Sequence, residues 1–199
     1  SDLSRAYDGE QIGNAGEATF RDYVVNAKVR EVSNPLRKKD EEYWTARLDE
    51  LPPAPILPMG PNPDVRTNVR FIRHQMNLTD SEWAKFRRIS AEKGITPTAA
   101  LVAAFSDVLA LWAESPDFTI NMTMMNRGDG ASETLRTVGD FTMSSLLGLT
   151  RDECAPFYSR AFAAQSQLWS DLEHRSFSGV SVLREIARRH GRANGGVLM

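Results

Sequence analysis

The chain has 199 residues, 41% of them hydrophobic and 25% charged, a balance that excludes disordered, collagen-like and membrane-embedded classes. A formal charge of -2 at pH 7 offers no general attraction for polyanions, so nucleic acid is set aside as a partner. The length suffices for one substantial core or for one lobe of a larger body.

The single cysteine, Cys154, allows neither a disulfide within the chain nor a cysteine pair for a metal, and it reads as a free structural thiol in a reducing, cytoplasmic setting. No apolar run reaches the roughly 20 residues of a membrane span, and SDLSRAYDGE does not resemble a signal peptide. Both ends read as cut, without an initiator Met at the start and with GGVLM stopping on an apolar run.

In chain order, Ser1 to Tyr7 reads as the tail of a helix closed by Asp8 and Gly9, followed by a loop with Gly13 and Gly16. From Thr19 the spacing Phe20, Tyr23, Val24, Ala27 predicts a helix with one apolar face, ending near Ser33 and Asn34. Pro35 opens a second helix whose buried stripe is Tyr43, Trp44, Leu48 and Leu51. Pro52, Pro53, Pro55, Pro58, Pro61 and Pro63 then forbid helix and favour an extended strap lying against the body through Ile56, Leu57 and Met59. Arg66 to Asn77 predicts a strand, with Val69 and Phe71 on one side and Ile72 and Met76 on the other. Thr79 with Glu82 forms a capping box, with Leu78 and Trp83 as its staple. That helix ends at Gly94. Thr96 and Pro97 start the next, for which Leu101, Phe105, Val108 and Trp112 are the expected apolar stripe and Ala99, Ala100, Ala103 and Ala104 the signs of close packing.

Two strands are expected at the ends of Asp117 to Ser145. Phe118, Ile120, Met122 and Met124 alternate with Thr119, Asn121 and Thr123, and Asp140, Thr142 and Ser144 alternate with Phe141 and Met143, which puts small polar groups on one face. Pro156 opens a long helix carrying Tyr158, Ala161, Phe162, Gln165, Leu168, Trp169 and Leu172. Ser178 caps a last helix with Val182, Leu183 and Ile186 inside and Gly191 at its end. The order of strand, two helices, two strands and two helices predicts an α/β layer fold with a mixed sheet and flanking helices. His74, His174 and His190 lie in no metal-spaced or triad-like pattern, so no metal is expected, and RGDG at Arg127 to Gly130 reads as a turn.

FTINMTMMNR (Phe118 to Arg127), VGDFT (Val138 to Thr142) and HRSFSGVSVLREIARR (His174 to Arg189) resemble the motif series of heterocyclization domains of nonribosomal peptide synthetases, in the condensation-domain superfamily. TFRDYV (Thr19 to Val24), EEYWTARLDELPPAP (Glu41 to Pro55) and the helix ending in LALWAES match the framework between them. The resemblance implies a chloramphenicol-acetyltransferase-like lobe from a two-lobed domain: 1–51 as the end of the N-terminal lobe and a helical connector, 52–66 as the strap, and 67–199 as the C-terminal lobe. One departure is GDGASETLRT where the family usually has a His-Pro pair.

The resemblance also implies an activity. Two carrier-tethered substrates are joined by a peptide bond, and a Cys, Ser or Thr side chain then closes a thiazoline or oxazoline ring with loss of water. Asp140 is the expected acid/base group, its pKa raised in a tunnel, and Thr123 the expected hydrogen-bonding partner of the amide oxygen. Asn121, Asn126, Thr142 and Ser178 are expected to bind substrate. No cofactor is expected on the chain itself, since phosphopantetheine on carrier proteins holds the substrates. The partners implied are upstream and downstream peptidyl carrier domains, an adenylation domain and the N-terminal lobe; Arg184, Arg188, Arg189 and Arg192 are a candidate docking patch for an acidic carrier. The alternatives are a noncatalytic docking or structural module and a plain condensation domain.

Overall fold

An antiparallel pair, β1 (Phe118–Met125) and β2 (Thr142–Leu149), lies at the centre of a computed structural model that describes residues 2–9, 19–58, 72–127 and 137–190. The pairing runs from Phe118↔Leu149 to Met125↔Thr142. Residues directly opposite in such a ladder share a face, and neighbours along a strand alternate faces. One face therefore carries Phe118, Ile120 and Leu147, and the other carries Thr119, Asn121, Thr123, Ser144, Leu146 and Gly148.

Seven helices accompany the pair among the described residues: α1 (Asp2–Tyr7), α2 (Phe20–Ser33), α3 (Leu36–Arg47), α4 (Asp80–Glu92), α5 (Pro97–Ala110), α6 (Phe157–Glu173) and α7 (Gly179–His190). Their starts follow local chemistry. Thr19 and Asp22 close a capping box on α2, and Thr79 and Glu82 close another on α4, each satisfying backbone donors that the first turn leaves without partners. Thr96 caps α5, with Pro97 at its first position. Gly94 ends the turn after α4 at φ +67, a conformation that a Cβ would strain.

Both faces of the pair are covered, by different helices. Phe118, Ile120 and Leu147 pack with Val102 of α5 and Leu168 of α6. On the opposite face Leu146 packs with Trp44, Leu48, Phe177 and Val182, which brings in α3 and α7. The strap runs along the outer side of β1: the Thr119 backbone N–H donates to the Pro53 carbonyl at 2.9 Å and its hydroxyl to the Pro52 carbonyl at 2.6 Å. Prolines lack N–H groups and can serve this edge only as acceptors. Gln165 of α6 ties down the α4–α5 turn, accepting from the Thr96 N–H at 2.6 Å and donating to the Gly94 carbonyl at 2.9 Å.

Three expectations are corrected. No strand is present over 72–77, where the chain is irregular and exposed, with Ile72 77% and Met76 87% accessible; the alternation there has no described neighbour to pair with. Val69 and Phe71 lie outside the described residues, as do Gly13, Gly16, Met59, Pro61, Pro63, Gly128 to Gly130, Gly191 and Arg192. The stripe Leu101, Phe105, Val108 and Trp112 faces outward, and α5 buries Ala99, Ala100, Val102 and Ala103 instead. Ala99, Ala100 and Ala103 meet Ala161 of α6 with Ile95, a crossing that bulky side chains would hold apart. On α6 likewise Ala161, Ala164, Gln165 and Leu168 are buried, while Tyr158, Phe162 and Trp169 are exposed.

A polar hub joins α3 to α6. The Asp171 carboxylate, 1% exposed, accepts from the Tyr43 hydroxyl at 2.8 Å, from Arg47 at 2.5 Å and from Gln167 at 2.9 Å. His174 stacks on Tyr43 at 3.8 Å, and its carbonyl accepts from the Trp44 indole. One oxygen, Asp171 Oδ2, has no partner among the described residues. Burial raises the Asp171 pKa above the ordinary carboxylate value, outweighing Arg47 and the hydrogen-bond donors, because desolvation disfavours the charged form.

Two outcomes follow from this packing. An acid whose pKa is higher in the folded chain stabilises the fold fully below its unfolded pKa and loses that contribution as pH rises through the raised value. The stability difference between the wild-type chain and Asp171→Asn should therefore fall as pH climbs out of the ordinary carboxylate range, in denaturant unfolding at stepped pH; a flat difference counts against the buried charge. At the start of α7, a Cβ on Gly179 would lie 2.9 Å from the Ser144 carbonyl oxygen. Gly179→Ala should cost about 1–3 kcal/mol by overpacking, read as a lowered unfolding midpoint.

Candidate functional site

The helices that cover the second face of the pair stop short of its far end. Leu146 is buried beneath α3 and α7, whereas Asn121, directly opposite it on β1, and Thr123, further toward the strand tips, are exposed. Thr123 pairs directly with Ser144, and Met125 with Thr142, so parity puts Asn121, Thr123, Thr142 and Ser144 on one open polar strip. Among the described residues neither the Asn121 amide nor the Thr123 hydroxyl is engaged in a hydrogen bond, which leaves both available to a ligand.

Ser178 comes to the same neighbourhood from the other side. Its hydroxyl accepts from the Ser181 N–H at 3.3 Å and lies 3.1 Å from the Ser181 hydroxyl, capping α7, while Gly179 packs against the Ser144 backbone. The local reason is compositional: the small residues of SFSGVS let the helix start press against the strand. Asn126 sits just past β1, its N–H donating to the Phe141 carbonyl and its own carbonyl accepting from the Tyr23 hydroxyl, both at 2.8 Å.

Asp140 departs from expectation in place and in charge. It precedes β2, is exposed, and accepts from the Thr142 N–H at 2.9 Å. The Thr142 hydroxyl and backbone N–H hold its pKa below the ordinary carboxylate value, the opposite of the raised pKa that a tunnel would give. A carboxylate that stabilises the turn opening a strand is favoured in its charged form by those donors. Asp140 is thus an ionised acceptor at neutral pH.

The sequence singled out GDFT and the helix face of Phe20 and Tyr23, but not the contact between them. Phe141, 5% exposed, lies edge-on to Phe20 at 5.2 Å and to Tyr23 at 4.7 Å, with the Arg127 guanidinium 4.3 Å from its ring centre. Arg127 also donates to the Thr137 carbonyl at 3.1 Å. The only signal for this cluster was aromatic content at positions 20, 23 and 141, which alone does not reveal a contact across more than 100 residues. Of the candidate basic patch, Arg188 pairs with Glu185, and Arg189 and His190 pair with Asp49, leaving Arg184 exposed without an ion pair among the described residues. Among the described residues no three His, Cys, Asp or Glu side chains gather to hold a metal ion, and no helix is long and apolar enough to cross a membrane.

Comparison with known proteins places this geometry. The family model of the condensation domain matches residues 1–192. The chain is 38% identical over 176 residues to pyochelin synthetase PchF of Pseudomonas aeruginosa, covering 88% of this chain and 10% of that protein. It is 34% identical over 194 residues to phenyloxazoline synthase MbtB of Mycobacterium tuberculosis, covering 96% of this chain and 13% of that protein. Among solved structures, the EpoB NRPS cyclization-docking bidomain from Sorangium cellulosum superposes with a TM-score of 0.84 at 34% identity, over 96% of this chain and 39% of that one. The chain thus spans about a tenth of the curated relatives and well under half of the solved bidomain. With its helices folded over both faces of β1 and β2 as an α/β lobe of this type, the chain belongs to the condensation-domain family.

Proposed function

We propose that this chain is part of a nonribosomal peptide synthetase heterocyclization domain, which joins carrier-tethered aminoacyl or peptidyl substrates and cyclodehydrates a Cys, Ser or Thr residue to a thiazoline or oxazoline. The observation that carries the reading is the coincidence of two facts: relatives whose names specify a phenyloxazoline and a cyclization domain, and an open strip in which Thr123 and Asn121 present uncommitted polar groups beside the GDFT turn. Substrates would arrive on the phosphopantetheine arms of upstream and downstream carrier domains, charged by an adenylation domain, in the cytoplasm. The division into 1–51, 52–66 and 67–199 belongs to the same reading, with an N-terminal lobe completing the domain.

In the reaction an amine attacks a carrier thioester, releasing the carrier thiol and forming an amide. The side-chain thiol or hydroxyl then adds to the amide carbonyl, and the former carbonyl oxygen leaves as water. Thr123 is the candidate donor to that oxygen, a placement typically worth a few kcal/mol in a transition state. Asp140, ionised at neutral pH, is the candidate acceptor of the nucleophile's proton; once protonated, its low pKa makes it a good donor to the departing oxygen. Asn121, Asn126, Thr142 and Ser178 are candidates for orienting the substrate.

A second reading is favoured by the exposure of Asp140 and its bond back to Thr142: the GDFT carboxylate serves only the turn, in a noncatalytic module. The two separate in the intact synthetase with loaded carriers. Thr123→Val and Asp140→Asn should each lower ring formation about 10- to 100-fold while amide formation persists, followed by mass spectrometry of the released product. Ring formation at the wild-type rate in both variants would sink the assigned roles and favour the second reading.

A further inference from the structure

The GDFT turn is where the helix from the beginning of the chain meets the strand pair. Phe141 is enclosed on three sides by Phe20, Tyr23 and the Arg127 guanidinium, and Phe20 stacks on Tyr23 at 6.1 Å. Edge-on aromatic pairs and a cation over a ring face are favourable beyond the area they bury. The Tyr23 hydroxyl completes the grip by donating to the Asn126 carbonyl at 2.8 Å, so α2 touches the residue just past β1 as well as the one just before β2.

Gly139 has a specific part in this contact. A Cβ there would lie 2.9 Å from the Phe20 Cβ, an atom fixed to the α2 backbone that cannot swing aside as a ring tip can. Glycine at 139 lets α2 approach, Asp140 holds the turn by accepting from Thr142, and Phe141 is the anchor. Three consecutive residues of the motif therefore have separate physical tasks: Gly139 and Phe141 join α2 to the strand tips, and Asp140 holds the turn between them. Elsewhere α2 is mostly exposed, with Val25 49% and Val29 63% accessible, so this aromatic cluster is its principal buried seat among the described residues.

We propose that Phe20, Tyr23 and Phe141 form a lock that positions the strand tips, and that the GDFT turn acts on the reaction through this lock: Phe141 is a positioning residue that fixes where Thr123 and Asp140 stand relative to the α2 side of the domain. The inference rests on the heterocyclization reading for its effect on product, but not for the lock itself. A misplacement of the strand tips would strike ring closure, which needs two groups aligned on one carbonyl, harder than the preceding amide formation.

The test uses the intact synthetase with loaded carriers, carrying Phe20→Ala, Phe141→Ala, both together, or Tyr23→Phe, which removes one hydroxyl and leaves the ring packing in place. Hydrogen exchange reads the lock at the amides of 19–33 and of 142–149, and product analysis reads the ratio of cyclised to uncyclised product. Each alanine variant should speed exchange in both segments by about three- to tenfold, the double variant should fall short of the product of the singles because the rings share one contact, and the cyclised fraction should drop while amide formation continues. Tyr23→Phe should give the same pattern more weakly. Exchange in 19–33 that is unmoved by Phe141→Ala, fully independent effects of the two alanines, or an unchanged product ratio at loosened exchange would each overturn the proposal. A wild-type synthetase that forms amides but no rings would sink the heterocyclization reading alone, since the exchange experiment still decides whether the lock exists.

Discussion

A two-stranded antiparallel pair has too little buried surface to stand by itself in water, and covering both faces of β1 and β2 is the constraint that orders the rest of this chain. One face is closed by α5 and α6 around Phe118, Ile120 and Leu147, the other by α3 and α7 around Leu146. The alternation of a strand lets one ladder serve two cores at once, and on the second face the covering helices leave a surplus of open positions, at Asn121 beside Leu146 and at Thr123 and Thr142 toward the tips of the eight-residue strands. That surplus is the polar strip. A candidate site on the uncovered part of a ladder otherwise fixed from both sides combines rigidity with access, as the proposed reaction between tethered substrates would require.

Electrostatics sort the carboxylates by what surrounds them, not by residue type. Asp171 is buried beneath α3, and its pKa rises despite Arg47; Asp140 is open to water and bonded by Thr142, and its pKa falls. The deeply buried group, with its raised pKa, is thus the structural one, holding α3 to α6, and the candidate for chemistry is the exposed one, left in its ordinary charged form. Perturbed pKa values mark functional sites only in probability, because structural ion-pair networks shift them as well.

Much of the local structure was legible in the residues. Thr19, Thr79, Thr96 and Ser178 cap helices as their positions suggest, since a cap depends on a side chain and a backbone only a few residues apart. The described part of the strap, 52–58, is extended as its prolines require, although Ile56 is exposed instead of packed, and Trp44 and Leu48 are buried where the stripe predicted them. The candidate site was partly legible: period-two alternation revealed the polar face carrying Asn121 and Thr123, while the extension of that face to Asp140 failed because a turn bonded by Thr142 begins two residues before the pairing does.

What the sequence determined by itself is periodicity, capping and the presence of a polar strand face, all properties of segments shorter than about twenty residues. It did not determine which of two apolar faces turns inward. On α5 the bulkier stripe of Leu101, Phe105, Val108 and Trp112 lost to alanines, because the close crossing with Ala161 excludes large side chains and only the partner helix makes that crossing tight. Nor did it determine the charge state of Asp140 or the meeting of Phe20 and Tyr23 with Phe141. Those depend on groups distant along the chain and adjacent in space, and only the tertiary structure brings them within the few ångströms over which hydrogen bonding, desolvation and ring contacts act.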